Sequence, residues 1–210
     1  MCMRFWVLFC LVFTMLFTGV SGLTPALGAD EALLRGVVYD EGQKGLPGVA
    51  VSVWDGKLSY KAVTDFDGNF TIRGLLPGKP FAIRWTPRGG DSVKVDALTF
   101  PLEGDLLLSM DYGSVGRGNV YTVRLPSNPS TGYGWTALHQ GVAVVRLKEN
   151  TFHGEGETFP ERARTGRPGT ELWKYEGIAK GKTALIFGYR RPWEKGITSS
   201  RYHVLSMTVR

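Results

Sequence analysis

Cysteine is nearly absent from this sequence of 210 residues. The two cysteines, Cys2 and Cys10, both lie in an apolar N-terminal segment, and no later position carries one. The chain beyond that segment therefore cannot be a thiol enzyme, a cysteine-ligated metal protein or a disulfide scaffold.

Sequence patterns for catalysis are missing as well. The three histidines, His139, His153 and His203, do not stand in a metal-binding motif such as HExxH. There is no G-x-S-x-G motif, and nothing pairs the scattered serines, histidines and aspartates. We therefore expect no enzyme, no metal site and no cofactor.

One fragment resembles the start of a calcium-binding loop. Asp65, Asp67 and Asn69 alternate in "DFDGN", as the first ligands of such a loop do. However, the sixth and twelfth positions, which need Gly and Glu, are Phe70 and Leu76. Asp, Gly and Asn are also the residues that a tight turn prefers, so a hairpin turn is the favoured interpretation.

The sequence also lacks basic runs and helical periodicity. Its formal net charge is +6, with no Lys/Arg tract of the kind that binds nucleic acid. The 28 glycines and 11 prolines separate short alternating segments. This composition predicts an all-β chain that has no nucleic-acid partner.

The N-terminus is typical of a secretory signal peptide. A basic start, "MCMR", precedes an apolar run from Phe5 to Phe17 and a small, polar stretch with cleavage positions after Gly22, Ala26 or Ala29. The apolar run is short for a membrane span, which needs about 20 residues. We predict a signal peptide at 1–29 and a secreted or periplasmic protein that has no membrane contact after cleavage; an uncleaved anchor is the alternative.

Two β-rich segments follow, separated by "PLEGD" at 101–105. In the first, 30–100, alternation places the side chains of Val49, Val51 and Val53, and of Phe81, Ile83 and Trp85, on inward faces. "RGVVYDEGQKGLPGVAVSVWDG" and "VTDFDGNFTIRGLLPG" resemble the carboxypeptidase regulatory-like domain. The resemblance implies a transthyretin-like β-sandwich and says little about function.

The second segment, 106–210, contains at least five candidate strands and three distinctive loops. "NPSTGYGW" begins at Asn128, "TGRPGTELWKY" at Thr165 and "GYRRPWEKG" at Gly188. Turn chemistry alone explains most of these residues. Trp193 is the exception, because an aromatic side chain in a charged turn has little core to fill.

Together and in this order, the three loops resemble those of the chagasin family, immunoglobulin-like β-sandwiches that inhibit papain-like cysteine peptidases. Ser130 replaces the family's usual Thr in the first loop, the Arg-Pro-Trp motif of the last loop is intact, and the middle loop matches in part. The resemblance implies two β-sandwich domains in all, and a monomer that binds a cathepsin-type peptidase reversibly.

The resemblance also implies a role for each loop. Ser130 and Thr131 would lie at the peptidase nucleophile, Trp193 would stack on the primed side, and the 163–169 loop would follow the unprimed side. Pro168 removes a backbone donor from that middle loop. The residues expected to bind the peptidase are Asn128, Pro129, Ser130, Thr131, Gly132, Tyr133, Arg164, Gly166, Arg167, Pro168, Gly169, Arg191, Pro192 and Trp193.

A different class of function stays open. An exported adhesion or glycan-binding module would also use sandwich loops, and an exposed Trp54 or Trp85 would favour it because sugar sites often stack on aromatic rings. The basic residues near the loops allow two interpretations, solvated loop charge or steering toward an acidic partner.

Overall fold

The computed structural model describes residues 32–140, 143–154, 168–194 and 198–210, which contain thirteen strands and one short 3-10 helix. The prediction of an all-β chain is confirmed. No helix in these ranges has the length and apolar character needed to cross a membrane. The strands are β1 (Leu34–Val38), β2 (Ala50–Trp54), β3 (Ser59–Val63), β4 (Asn69–Ile72), β5 (Pro80–Thr86), β6 (Val93–Thr99), β7 (Leu106–Val115), β8 (Val120–Ser127), β9 (Gly134–His139), β10 (Val145–Gly154), β11 (Gly169–Gly177), β12 (Gly181–Arg190) and β13 (Arg201–Val209).

The strands form three sheets. A six-stranded sheet has the order β4-β1-β7-β13-β12-β9, a four-stranded sheet the order β3-β2-β5-β6, and a three-stranded sheet the order β10-β11-β8. The pairings β1–β7 and β7–β13 are parallel, and the other strand pairings are antiparallel.

The first core lies between the six-stranded and four-stranded sheets. The inward residues predicted from alternation are all buried, with Val53, Ile83 and Trp85 fully inaccessible to solvent. They pack with apolar side chains of β1, β4, β7 and β13. Burying each such side chain contributes about 1.5–3 kcal/mol, so this apolar layer stabilises the pairing of the two sheets.

The second core lies between the six-stranded and three-stranded sheets. Leu185 and Phe187 of β12 meet Leu205 and Met207 of β13, and all four side chains are at most 1% exposed. Trp135, Trp173 and Tyr175 complete this core. It holds the strands that carry the three loops and therefore fixes where the loops begin and end.

Residues on both sides of 101–105 belong to one sheet. β1 pairs with β7 from Leu34↔Leu106 to Val38↔Met110, and residues 31–210 form a single compact unit. Asp105 accepts the Leu33 N–H at 2.8 Å and a hydrogen bond from Arg35 Nε at 2.7 Å. The division into domains at 30–100 and 106–210 and the transthyretin-like assignment stay predictions.

The "DFDGN" fragment forms a turn held by its own carboxylate. Asp65 accepts the backbone N–H groups of Asp67 at 3.0 Å and Asn69 at 2.8 Å, and these bonds lower its pKa. Gly68 has φ +80°, and a Cβ there would come within 2.4 Å of the Val38 carbonyl oxygen. In the described ranges, no three His, Cys, Asp or Glu side chains are placed to hold a metal ion.

Candidate functional site

The first loop is a rigid turn between β8 and β9. Pro129–Thr131 form a 3-10 helix, and Gly132 ends it in the left-handed region at φ +81°. The Gly132 N–H donates to the Pro129 carbonyl at 2.9 Å. Proline fixes φ at the start and glycine permits positive φ at the end, which is why this sequence makes a compact projection.

Side chains of the loop bond back to Asn128. Ser130 Oγ donates to Asn128 Oδ1 at 2.5 Å, and Thr131 Oγ1 donates to the Asn128 carbonyl at 2.7 Å. The Asn128 N–H in turn donates to the hydroxyl of Tyr189, on β12, at 3.1 Å. The hydroxyl of Ser130 thus has a structural partner inside the loop, and its exposed position leaves its outer face open.

The last loop is a turn after β12. The Glu194 N–H donates to the Arg191 carbonyl at 3.2 Å, and Arg191 Nη1 donates to Glu194 Oε1 at 2.9 Å. This bond is the main cause that raises the pKa of Arg191. The turn projects Trp193, whose side chain is 66% exposed.

The two loops touch although about sixty positions separate them. A Cβ added to Gly132 would lie 2.7 Å from the Trp193 ring, so the indole packs against the end of the 3-10 helix. Arg191 lies over the Tyr133 ring at 4.6 Å, and Tyr133 stacks on Tyr189 at 5.6 Å between ring centroids. The first and last loops therefore form one continuous surface, which we call the two-loop surface (Asn128–Tyr133 and Arg191–Trp193).

A buried carboxylate ties down the base of the first loop. Glu171, which is 7% exposed, accepts hydrogen bonds on Oε1 from Ser127 Oγ at 2.7 Å and from the Trp135 N–H at 3.1 Å. Its Oε2 accepts from Trp173 Nε1 at 3.2 Å. Ser127 precedes the loop and Trp135 follows it, so one carboxylate holds both ends of the loop.

No sequence motif singles out Glu171. Its signal is positional, because β11 buries every second residue and Glu171 shares the core face with Trp173 and Tyr175. A carboxylate on the buried face of a strand needs hydrogen-bond donors. The two residues that flank the first loop, Ser127 and Trp135, supply two of them.

The middle loop is described only at its end. Pro168 is exposed, and Gly169 is buried and pairs with Ser127 at the start of the first loop. A Cβ on Gly169 would lie 2.3 Å from the His153 carbonyl oxygen, so glycine is needed where the strands meet. Arg164, Gly166 and Arg167 lie outside the described residues.

The two-loop surface suits noncovalent contact. Pro129, Ser130, Thr131, Pro192 and Trp193 are all exposed, and they offer apolar rings and hydroxyls. The hydrogen bonds and ring contacts beneath these residues fix their positions before any partner arrives. A surface of this kind loses little conformational entropy when it binds.

The comparisons with known proteins concern the same part of the chain. Residues 114–205 match the chagasin family of peptidase inhibitors, I42. Chagasin of Trypanosoma cruzi is 33% identical over 81 residues, which cover 38% of this chain and 72% of that protein. Amoebiasin-2 of Entamoeba histolytica is 31% identical over 88 residues, which cover 42% of this chain and 68% of that protein.

A solved structure, of a cysteine protease inhibitor from Entamoeba histolytica, aligns with 23% identity and a TM-score of 0.39. The alignment covers 49% of this chain and 95% of the other. The two sequence matches are sufficient to assign the chain to a family, since each covers more than two thirds of a relative at over 30% identity. The chain belongs to the chagasin family, whose members are peptidase inhibitors and not enzymes.

Proposed function

We propose that this protein inhibits papain-like cysteine peptidases reversibly, by occluding the catalytic cleft with loops at one end of its C-terminal sandwich. The observation that carries the proposal is the contact between Trp193 and Gly132. It joins two motifs that are distant in sequence into a single exposed surface. A cleft-binding inhibitor needs such a projecting and preformed surface.

The rigidity of the first loop supports this mode of binding. Pro129 at the start of the 3-10 helix, the bonds to Asn128 and the stacked ring of Tyr133 hold the loop in one conformation. Ordering a loop on binding costs about 0.5–1.5 kcal/mol for each immobilised side chain, and preorganisation reduces that cost. No covalent bond to the peptidase is formed or broken in the proposed mechanism.

The proposed roles follow the family resemblance. Ser130 and Thr131 enter the cleft beside the nucleophile, and Trp193 stacks on the primed side. The 163–169 loop lies along the unprimed side, with Pro168 and Gly169 at its end. Ser130 keeps the hydroxyl that bonds to Asn128 and lacks only the methyl of the usual Thr.

The test is inhibition of papain by the full chain and by Trp193→Ala. Buried aromatic anchors contribute about 1–3 kcal/mol to protein interfaces, which corresponds to a rise of about 5- to 150-fold in the inhibition constant. Trp54→Ala is the matched control, because Trp54 is 55% exposed on β2 of the four-stranded sheet.

The proposed function would be refuted if the full-length protein at micromolar concentration inhibited neither papain nor other papain-like peptidases. An unchanged inhibition constant for a folded Trp193→Ala variant would refute only the role of Trp193. Equal losses for Trp54→Ala and Trp193→Ala would show that the effect is not specific to the loops.

We also propose that the protein is exported through the segment 1–29 and acts as a monomer outside the cytoplasm, without membrane contact. The layout of that segment supports export, because a basic start, an apolar run and a small, polar stretch follow one another as in a secretory signal peptide. Detection of a chain shortened by 22, 26 or 29 residues in the external or periplasmic fraction is the expected result.

One observation favours the second candidate, an exported adhesion or glycan-binding module. Trp54 is 55% exposed on a sheet face, whereas Trp85 is fully buried and unavailable to a ligand. A glycan pull-down that depends on Trp54, with papain-like peptidases unaffected, would favour this function over inhibition.

A further inference from the structure

The segment 101–105 and the two-loop surface lie at the same end of the six-stranded sheet. One row of the sheet aligns Tyr189 of β12 with Arg201 of β13 and Leu107 of β7. The Arg191–Trp193 turn follows this row along the chain. Because β7 runs antiparallel to β12, the segment 101–105 enters the sheet from that same end. Both strands neighbour β13, so they are about 10 Å apart at the usual spacing between strands.

This segment presents an exposed leucine next to a second one. Leu102 is 64% exposed, and its side chain rests on Gly78, because a Cβ added to that glycine would lie 2.8 Å from Leu102 Cδ2. Leu76, two positions before Gly78, is 58% exposed, and Pro77 between them is exposed as well. These residues form an apolar area that we call the linker surface (Leu102, Leu76 and Pro77).

Hydrogen bonds hold the backbone of the linker surface in place. The Gly78 N–H donates to the Phe100 carbonyl, and the Phe100 N–H donates to the Lys79 carbonyl, each at 3.0 Å. The Leu107 N–H donates to the Ser200 carbonyl at 2.9 Å, which ties the end of the segment to the residues that precede β13. The linker surface is therefore preformed, and it loses little conformational entropy when it binds.

A partner of ordinary size on the two-loop surface would also cover Leu102. A stable protein interface buries about 800 Å² on each partner, which corresponds to a patch about 30 Å across. The contact between Trp193 and Gly132 lies between the ends of β12 and β9. A patch centred there reaches about 15 Å toward β7, which is far enough to include the segment before that strand.

On the basis of the proposed function, we infer that the linker surface is an additional contact area for the same papain-like peptidase. It precedes the family match at 114–205. The strand order β9-β12-β13-β7 puts it on the far side of Trp193 from the first loop. With Trp193 on the primed side, as proposed, Leu102 continues in that direction and meets an apolar part of the primed-side rim of the cleft.

A second copy of the chain is less suited to the linker surface. A stable dimer needs about 20–30 residues on each side, and the linker surface has three. Exposed polar side chains surround it, with Arg73 and Lys79 in and beside the turn and Glu103 after Leu102. The linker surface therefore suits the extension of a neighbouring interface better than an interface of its own.

Leu102→Ala tests this contact without altering the two-loop surface. It should raise the inhibition constant for papain about 3- to 10-fold, because apolar area that the complex would bury is lost. Leu102→Asp should raise it further, since a carboxylate would face an apolar rim. Urea unfolding should change little in either variant, because the side chain is mostly exposed in the free protein.

Phe66→Ala is the matched control. Phe66 is 93% exposed in the turn before β4. The first residue of β4, Asn69, pairs with Val37 near the end of β1, so this turn lies at the end of the sheet opposite to the linker surface. Phe66→Ala removes more apolar surface than Leu102→Ala and should inhibit papain as the unaltered protein does.

A photo-cross-link locates the contact on the peptidase. With p-benzoylphenylalanine in place of Leu102, irradiation of the complex should join the chain to papain on the primed side of the catalytic cleft. The same group in place of Phe66 should give no such product.

The outcomes separate this contact from the proposed function. If the full chain inhibits papain-like peptidases and Trp193→Ala weakens that inhibition, while Leu102→Ala and Leu102→Asp inhibit as the unaltered protein does, the linker surface is not a contact. Cross-links on the unprimed side, or between two copies of the chain in place of the peptidase, would also overturn it. Failure of the full chain to inhibit any papain-like peptidase would instead remove the proposed function, and this contact with it.

Discussion

Replacing Glu171 with Gln is the sharpest test of how the first loop is held. The carboxylate accepts three hydrogen bonds, two on Oε1 and one on Oε2. Glutamine has one acceptor oxygen, so keeping the bonds from Ser127 and Trp135 turns its NH₂ group toward the Trp173 indole N–H. Two donors then face each other in a buried site.

The magnitude follows from the bonds that change. The Trp173 bond to a charged acceptor is worth about 1.5–3 kcal/mol, and two charge-assisted bonds become neutral and weaker. Burying an amide costs less than burying a carboxylate, which offsets part of that loss. We expect Glu171→Gln to lower the free energy of unfolding by about 2 kcal/mol.

Trp173→Phe supplies the control by removing the indole donor. In that background Glu171→Gln should cost about 1 kcal/mol less, because there is no opposing N–H. Urea unfolding at pH 7 measures all four proteins of this double-mutant cycle, and papain inhibition measures whether loosening the base of the loop weakens binding. A cost for Glu171→Gln below about 0.5 kcal/mol in both backgrounds would refute this account of the loop.

Three further predictions concern single positions. Gly132→Ala should destabilise the fold by about 1–2 kcal/mol through strain at φ +81°. It should also weaken papain inhibition, because the new Cβ displaces Trp193. The control is Gly118→Ala, at φ +82° with no neighbour within 4 Å, which should show the same strain and leave inhibition unchanged. Ser130→Ala should raise the inhibition constant about 2- to 10-fold by removing the bond to Asn128, whereas Ser130→Thr should inhibit at least as well as the unaltered protein. Because burial lowers the pKa of His203, the unfolded state binds the extra proton first as the pH falls. The free energy of unfolding should therefore decrease below about pH 6.5, by at most about 1.4 kcal/mol per pH unit. His203→Gln should abolish that slope, and an unchanged slope in this variant would contradict the prediction.

The pH window of His203 differs from that of the carboxylates. Arg35 lowers the pKa of Asp105, and backbone N–H groups lower those of Asp55 and Asp65. Because these folded-state pKa values lie below the unfolded ones, their stabilisation is present above about pH 4 and is lost as pH falls further. The two effects can therefore be separated in one pH titration of urea unfolding.

Period-two alternation predicts much of the fold because one face of each strand is buried. It identifies the inward residues of β2 and β5, such as Val53 and Ile83. It does not identify β3, whose pattern is only half buried, or β9, where Trp135 is the one buried side chain. Such short strands depend on partners that are distant in sequence.

The loop residues are predictable as a set, but their geometry is not. Gly132 and Trp193 stand in separate turns, and no local pattern predicts that the indole rests on the glycine. The burial of Glu171 is not predicted from the sequence, because a charged residue usually indicates a solvated face.

The parallel pairing of β1 with β7 has a consequence for dissecting the molecule. Cutting at 101–105 would remove the neighbour of β7 and leave a ten-residue strand with open backbone groups along one side. It would also expose Leu106 and Met110, whose side chains are fully covered in the intact chain. Unprotected edges of this kind template intermolecular pairing. Residues 106–210, produced alone, should therefore self-associate. In the intact chain, the N-terminal segment covers this edge and so keeps the segment that carries the loops soluble.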